Sequence, residues 1–151
     1  MEYILLAALC SEGWRRGRLL EVARASTDAH GYDLILSEGG TTRHVQCKAS
    51  VEGGRTAAQA IHLNLASRTG GCVIWMIEDA ENLRLKRFGW FGGGLGAPLP
   101  PLGDREVRHT KGDSEGAKAV RPNLRRLPRG AFEWLEGVEA VFDRLFGAEP
   151  T

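Results

Sequence analysis

The chain has 151 residues, 42% of them hydrophobic and 26% charged, which is enough for one core-forming domain and too apolar for a disordered chain. Its formal net charge is +1, so any attraction for nucleic acid has to come from a local basic face and not from the total. The three cysteines, Cys10, Cys47 and Cys72, are odd in number and form no CxxC pair, which argues against a zinc site and a disulfide framework and for buried thiols in a reducing cytoplasm.

Residues 2–12 read as a helix, with Leu5, Leu6 and Leu9 on a broad apolar face and Ser11-Glu12-Gly13 as its stop. The apolar stretch 3–10 has no basic segment before it and no small-residue cleavage site after it, so it is not read as a leader. No run approaches the roughly 20 apolar residues of a membrane span. Residues 19–23 predict a strand, and 26–31 a polar turn. A second strand over 32–36 and a third over 44–49 flank Glu38-Gly39-Gly40-Thr41, where glycine accepts positive φ, so the two strands are expected to be antiparallel neighbours. Residues 56–67 predict a helix, and Cys72-Val73-Ile74-Trp75-Met76-Ile77 a strand covered on both faces. An edge strand is expected over 82–88, a Gly- and Pro-rich loop over 89–103, and a mobile loop over 104–117. The basic stretch 118–129 carries at most a short strand near 123–127. A final helix is expected over 131–146, with Phe132, Leu135, Val138, Val141, Phe142 and Leu145 on one stripe.

Side chains alternate across a strand, so Gln46 and Lys48 share one face and Val45 and Cys47 the other. Asp33 interrupts the apolar run of the paired strand. The hairpin therefore delivers a carboxylate, an amide and a lysine to neighbouring positions inside apolar strands. A buried charge is costly unless it is paired or bound to a metal. A salt bridge with an amide neighbour would satisfy that requirement, and so would a catalytic centre.

The stretch His30-Gly31-Tyr32-Asp33-Leu34-Ile35-Leu36, followed by His44-Val45-Gln46-Cys47-Lys48-Ala49-Ser50, resembles the core motif of the PD-(D/E)XK nuclease superfamily, which includes restriction endonucleases and archaeal-type Holliday-junction resolvases. The motif is an aspartate opening one strand, then an acidic residue or glutamine, any residue and a lysine on the next. The resemblance covers the first half of the chain. It implies an α/β fold with a restriction-endonuclease-like mixed sheet, an α-β-β-β-α-β core flanked by helices and a C-terminal helix. A single domain over 1–151 is expected, with the core in 2–77 and an extension in 78–151.

The resemblance also implies roles. Asp33 matches the metal-binding aspartate, Gln46 the second ligand and Lys48 the catalytic lysine; Glu2 falls where the resolvase branch has a glutamate on the first helix. The ion would be Mg²⁺ or Mn²⁺, with the backbone carbonyl of Cys47 as a further oxygen ligand. The activity implied is metal-dependent hydrolysis of nucleic acid, chiefly endonucleolytic cutting of DNA, with a homodimer for duplex cutting. Gln46 carries no charge where the usual ligand is acidic, so metal affinity is expected to be weaker, with Glu2 or Asp28 completing the shell. The alternative is a nuclease-fold module that binds nucleic acid or a protein without catalysis.

Other features divide between two readings. Glu2 equally suits a helix N-terminus. Asp28 and His30 suit the turn. Arg121, Arg125, Arg126 and Arg129, with Lys118, could contact phosphates, although acidic residues lie just upstream and a solvated surface is favoured. Trp90 and Phe91 could stack bases or fold back on the core. His44, His62 and His109 show no ligand spacing.

Overall fold

The computed structural model describes residues 1–150; of Asp28 only the backbone is described. In chain order the elements are α1 (Glu2–Arg15), β1 (Glu21–Arg24), β2 (Leu34–Glu38), β3 (Thr41–Val51), β4 (Ala58–His62), β5 (Cys72–Glu78), β6 (Leu85–Gly92), β7 (Glu106–Arg108), β8 (Val120–Pro128), β9 (Glu133–Leu135) and α2 (Gly137–Phe146). Short 3₁₀ turns cover Asp28–His30, Leu63–Ser67 and Arg129–Ala131.

The expected hairpin forms. Gly39 and Gly40 take φ of 55° and 85° and turn β2 into β3, which run antiparallel with Leu34 opposite Val45 and Glu38 opposite Thr41. β3 then runs parallel to β5, so the mixed six-stranded sheet has the order β1-β2-β3-β5-β6-β9. The apolar run of β5 is buried along its length from Cys72 to Ile77. Its alternation splits the molecule into layers. Cys72, Ile74 and Met76 join α1 and α2 in one core with Leu5, Leu9, Phe142 and Leu145. Val73, Trp75 and Ile77 face the other way and meet Ile61, Leu127 and Phe132. Each such side chain taken fully out of water contributes about 1.5–3 kcal/mol, so β5 is the axis on which both cores depend.

The α/β class and the mixed sheet are as expected, but the second layer differs from the expected core. Residues 56–67 are not an α-helix: Ala58–His62 form β4 and Leu63–Ser67 a 3₁₀ turn. β4 pairs antiparallel with β8, from Ala58 opposite Pro128 to His62 opposite Leu124, and β7 completes a three-stranded sheet in the order β4-β8-β7. Helices thus cover one face of the large sheet and the small sheet covers the other. The final helix also begins later than expected, because Glu133–Leu135 pair with β6 as β9. That pairing takes β6 off the edge, and β6 extends to Gly92 into the expected loop, burying Trp90 at 5% exposure. The aromatics of this segment therefore belong to the fold and not to a stacking surface. β7 lies inside the expected mobile loop, and β8 is longer than the short strand expected there.

Arg43 is fully buried, with no carboxylate partner among the described residues. Its guanidinium donates to the carbonyls of Gly93, Arg144 and Leu145, and so caps the end of α2. Burial lowers its pKa from the ordinary value.

Candidate functional site

The place where β2 leaves β3 makes the site. β2 starts at Leu34, opposite Val45, while β3 continues to Val51 alongside β5. Asp33 lies just before β2, and its N–H donates to the carbonyl of Val45 at 2.8 Å. Beyond that point no strand among the described residues pairs with this edge of β3, and the Asp33 carboxylate takes the strand's place. Its Oδ2 accepts the backbone N–H of Cys47 at 2.6 Å.

A cavity of about 370 Å³ opens there, lined by Asp33, Gln46, Cys47 and Lys48 from the large sheet, Ala60 and His62 from β4, and Arg121 and Leu124 from β8. The three expected residues Asp33, Gln46 and Lys48 are therefore brought to one chamber, between the two sheets. Asp33, Gln46 and Lys48 are each half-buried. The Gln46 Oε1 accepts the N–H of His62 in a long contact of 3.4 Å. The Cys47 thiol faces the helix side, where burial first, and then the carboxylates of Asp33 and Glu2, push its pKa far above the ordinary range. It stays a neutral thiol, so Cys47 can serve the chamber only through its backbone.

Glu2 is not in this chamber. It lines a second cavity with Arg24, Cys47 and Lys48, and its carboxylate is paired with Arg24 at 2.8 Å. Lys48 lines both cavities. The side chain of Asp28, expected as a turn residue or an accessory ligand, lies outside the described residues. His30 takes the turn role, with its Nδ1 at 3.0 Å from the Arg68 guanidinium.

The residues of the basic strip lie in different surroundings. Arg121 enters the chamber. Arg125 donates to the carbonyls of Pro122 and Leu124 on its own strand. Arg129 lies over the rings of Trp75 and Trp134, with its guanidinium carbon 4.3 Å from the Trp134 centroid. Arg126 is exposed.

Sequence reasoning missed His62. The alternation Ala58, Ala60, His62 against Gln59, Ile61 was its signal, but the run also fits a helical face. Its placement is tight. Gly31 takes φ of 77°, and a Cβ there would lie 2.9 Å from the His62 Cβ. The turn that delivers Asp33 is thus clamped against the end of β4.

Among the described residues no group of three or more His, Cys, Asp or Glu is placed to hold a metal ion. The donors in the chamber are one carboxylate, one amide oxygen and backbone carbonyls. That set suits Mg²⁺ or Mn²⁺ held by one carboxylate and completed by substrate phosphate and water, and does not suit a cage built from protein alone. Comparison with protein-family models, with curated proteins and with solved structures finds no match to this chain.

Proposed function

We propose that the chain hydrolyses phosphodiester bonds in nucleic acid, chiefly as a metal-dependent DNA endonuclease of the restriction-endonuclease type. The observation that supports this reading is one chamber lined by Asp33, Gln46, Lys48 and Arg121. The order α1-β1-β2-β3 and the parallel pairing of β3, which bears Lys48, with β5 also suit it, while β4 and a 3₁₀ turn stand where that core has a helix.

Hydrolysis forms one P–O bond from water and breaks another, so negative charge gathers on the phosphate while water gives up a proton. Asp33, with the Gln46 amide and the Cys47 carbonyl, would hold Mg²⁺ or Mn²⁺. The ion would supply charge compensation on the phosphate and a more acidic water. Lys48 adjoins this position on β3 and would orient the attacking water or stabilise the charge that develops. Arg121, reaching in from β8, would bind a phosphate oxygen. Glu2 would act only through Arg24 or from the far side of Lys48. One such centre cuts one strand, so cutting of both strands calls for two copies of the chain.

The test is supercoiled plasmid incubated with Mg²⁺ or Mn²⁺. Nicking or linearisation that needs the metal is expected, with Lys48→Ala lowering the rate at least about 100-fold, the scale typical of a general acid–base or charge-stabilising group. A second reading has its own support: Gln46 is neutral and its oxygen already faces the His62 N–H. On that reading the chamber binds nucleic acid without cutting. Retained DNA binding with no cutting under either metal would decide for it.

A further inference from the structure

The chamber does not end at Lys48. A neighbouring cavity of about 260 Å³ is lined by His109, Pro122 and Asn123 together with His62, Arg121 and Leu124, and the last three line the main chamber as well. His62 and Arg121 therefore stand at the junction of two neighbouring spaces, each lining both. One space is lined by Asp33, Gln46 and Lys48; the other is lined by His109 and by Pro122 and Asn123 of β8.

His62 is held in a defined state. Its Nδ1 accepts the backbone N–H of Asn64 at 3.1 Å, capping the 3₁₀ turn Leu63–Ser67. A ring nitrogen that accepts carries no proton, so the neutral imidazole has its N–H on Nε2. The backbone N–H of His62 points to Gln46. Its Cβ and Cγ lie against Gly31, where an added Cβ would come within 2.9 and 3.2 Å. Backbone, Nδ1 and Cβ are all fixed, and no described residue takes Nε2. What remains is a single donor on a held ring that lines both cavities, as the Arg121 guanidinium does.

We propose that His62 and Arg121 form a phosphate grip: the Nε2–H of His62 and the guanidinium of Arg121 bind the backbone phosphate next to the one at Asp33 and Lys48, and the nucleic-acid strand leaves through the second cavity. This rests on reading the chamber as a nucleic-acid site. An N–H donor together with a permanent cation suits a phosphodiester, which carries one negative charge, and the two shared lining residues would lead the strand from Lys48 towards His109.

The discriminating variant is His62→Asn. Asparagine caps a turn through its side-chain oxygen as His62 does through Nδ1, but it is too short to reach the junction. Long-range ¹H–¹⁵N spectra of the histidine rings should show His62 protonated on Nε2. Added inorganic phosphate should move that Nε2 signal and leave those of His30 and His44 in place. His62→Asn and Arg121→Ala should each weaken binding of a short labelled thymidylate oligomer by about tenfold, which corresponds to roughly 1.4 kcal/mol. The exposed Arg84→Ala should change it less than twofold, an expectation set by the small worth of screened surface charges. Metal-dependent cutting lost in Lys48→Ala, with oligomer binding intact in both junction variants and no shift at His62, overturns the grip and leaves the nuclease reading. A phosphate shift at His62 with no cutting under either metal supports the grip and overturns the nuclease reading.

Discussion

Glu12 is only 5% exposed and sits where α1 meets the end of the chain. Both its oxygens are used: Arg15 donates to them at 2.9 and 2.7 Å, and Arg16 at 2.6 Å. Arg16 in turn reaches Asp143 on α2, so this one carboxylate anchors a chain of charges joining the two helices. The Arg15 hydrogen bonds first, and that of Arg16 with them, hold the Glu12 carboxyl down at about 2, against the upward push of burial. A carboxyl lowered on folding binds protons more readily in the unfolded chain. Its stabilisation is complete above the unfolded value near 4.5 and is lost as pH falls towards 2. The Glu12→Gln protein should thus melt lower at pH 7 and show a flatter dependence of stability on pH between those limits. Arg15 is largely exposed and screened, so the loss at neutral pH is about 1 kcal/mol, or roughly 2–4 °C in Tm for a chain of this size. Equal slopes for the two proteins in melts between pH 5 and pH 2 would show that Glu12 does not link folding to protons.

The elements differ in how much of their structure is local, and that decides what the sequence discloses. The β2–β3 hairpin is local: two glycines turn it, and Asp33, Gln46 and Lys48 sit within one short stretch, so their convergence could be read directly. β5 could be read because an unbroken apolar run has few other uses. β4 could not, because Ala58–His62 become a strand through β8, whose residues Leu124–Pro128 come some sixty positions later. Local pattern there suits a helix, and the distant partner decides. His62 was lost with that element. Gly31 tests how far the two are coupled. Gly31→Ala must accept φ of 77° and a contact with His62 at 2.9 Å, so the expected cost is about 2–3 kcal/mol. Asparagine tolerates positive φ but also carries a Cβ. Gly31→Asn should therefore be nearly as destabilised as Gly31→Ala in thermal melts, and both should lose phosphate binding at the site. Full recovery by asparagine would mean that backbone conformation alone sets the requirement and that the turn is not clamped to β4.

At the scale of the molecule, a net charge of +1 cannot draw a polyanion by itself. Attraction has to come from the cations that face the chamber, and most basic side chains near it are committed elsewhere. Arg24 is paired with Glu2, Arg125 holds its own strand, and Arg129 stacks on Trp75 and Trp134. Lys48 and Arg121 line the chamber, and Arg126 is on the exposed side of β8. Two to three phosphates neutralised should give a slope of log K against log salt of about −1.5 to −2 for a single strand and about −2 to −3 for a duplex. Between 50 and 200 mM salt, duplex affinity should then fall by roughly 15- to 60-fold, far less than for a protein that tracks a long stretch of backbone. Fluorescence anisotropy with a labelled duplex over that range measures it. A slope near zero would mean that nucleic acid is not the partner. A slope steeper than about −5 would require a basic surface several times wider than this chamber, and the contacts would then have to be sought outside the junction of the two sheets.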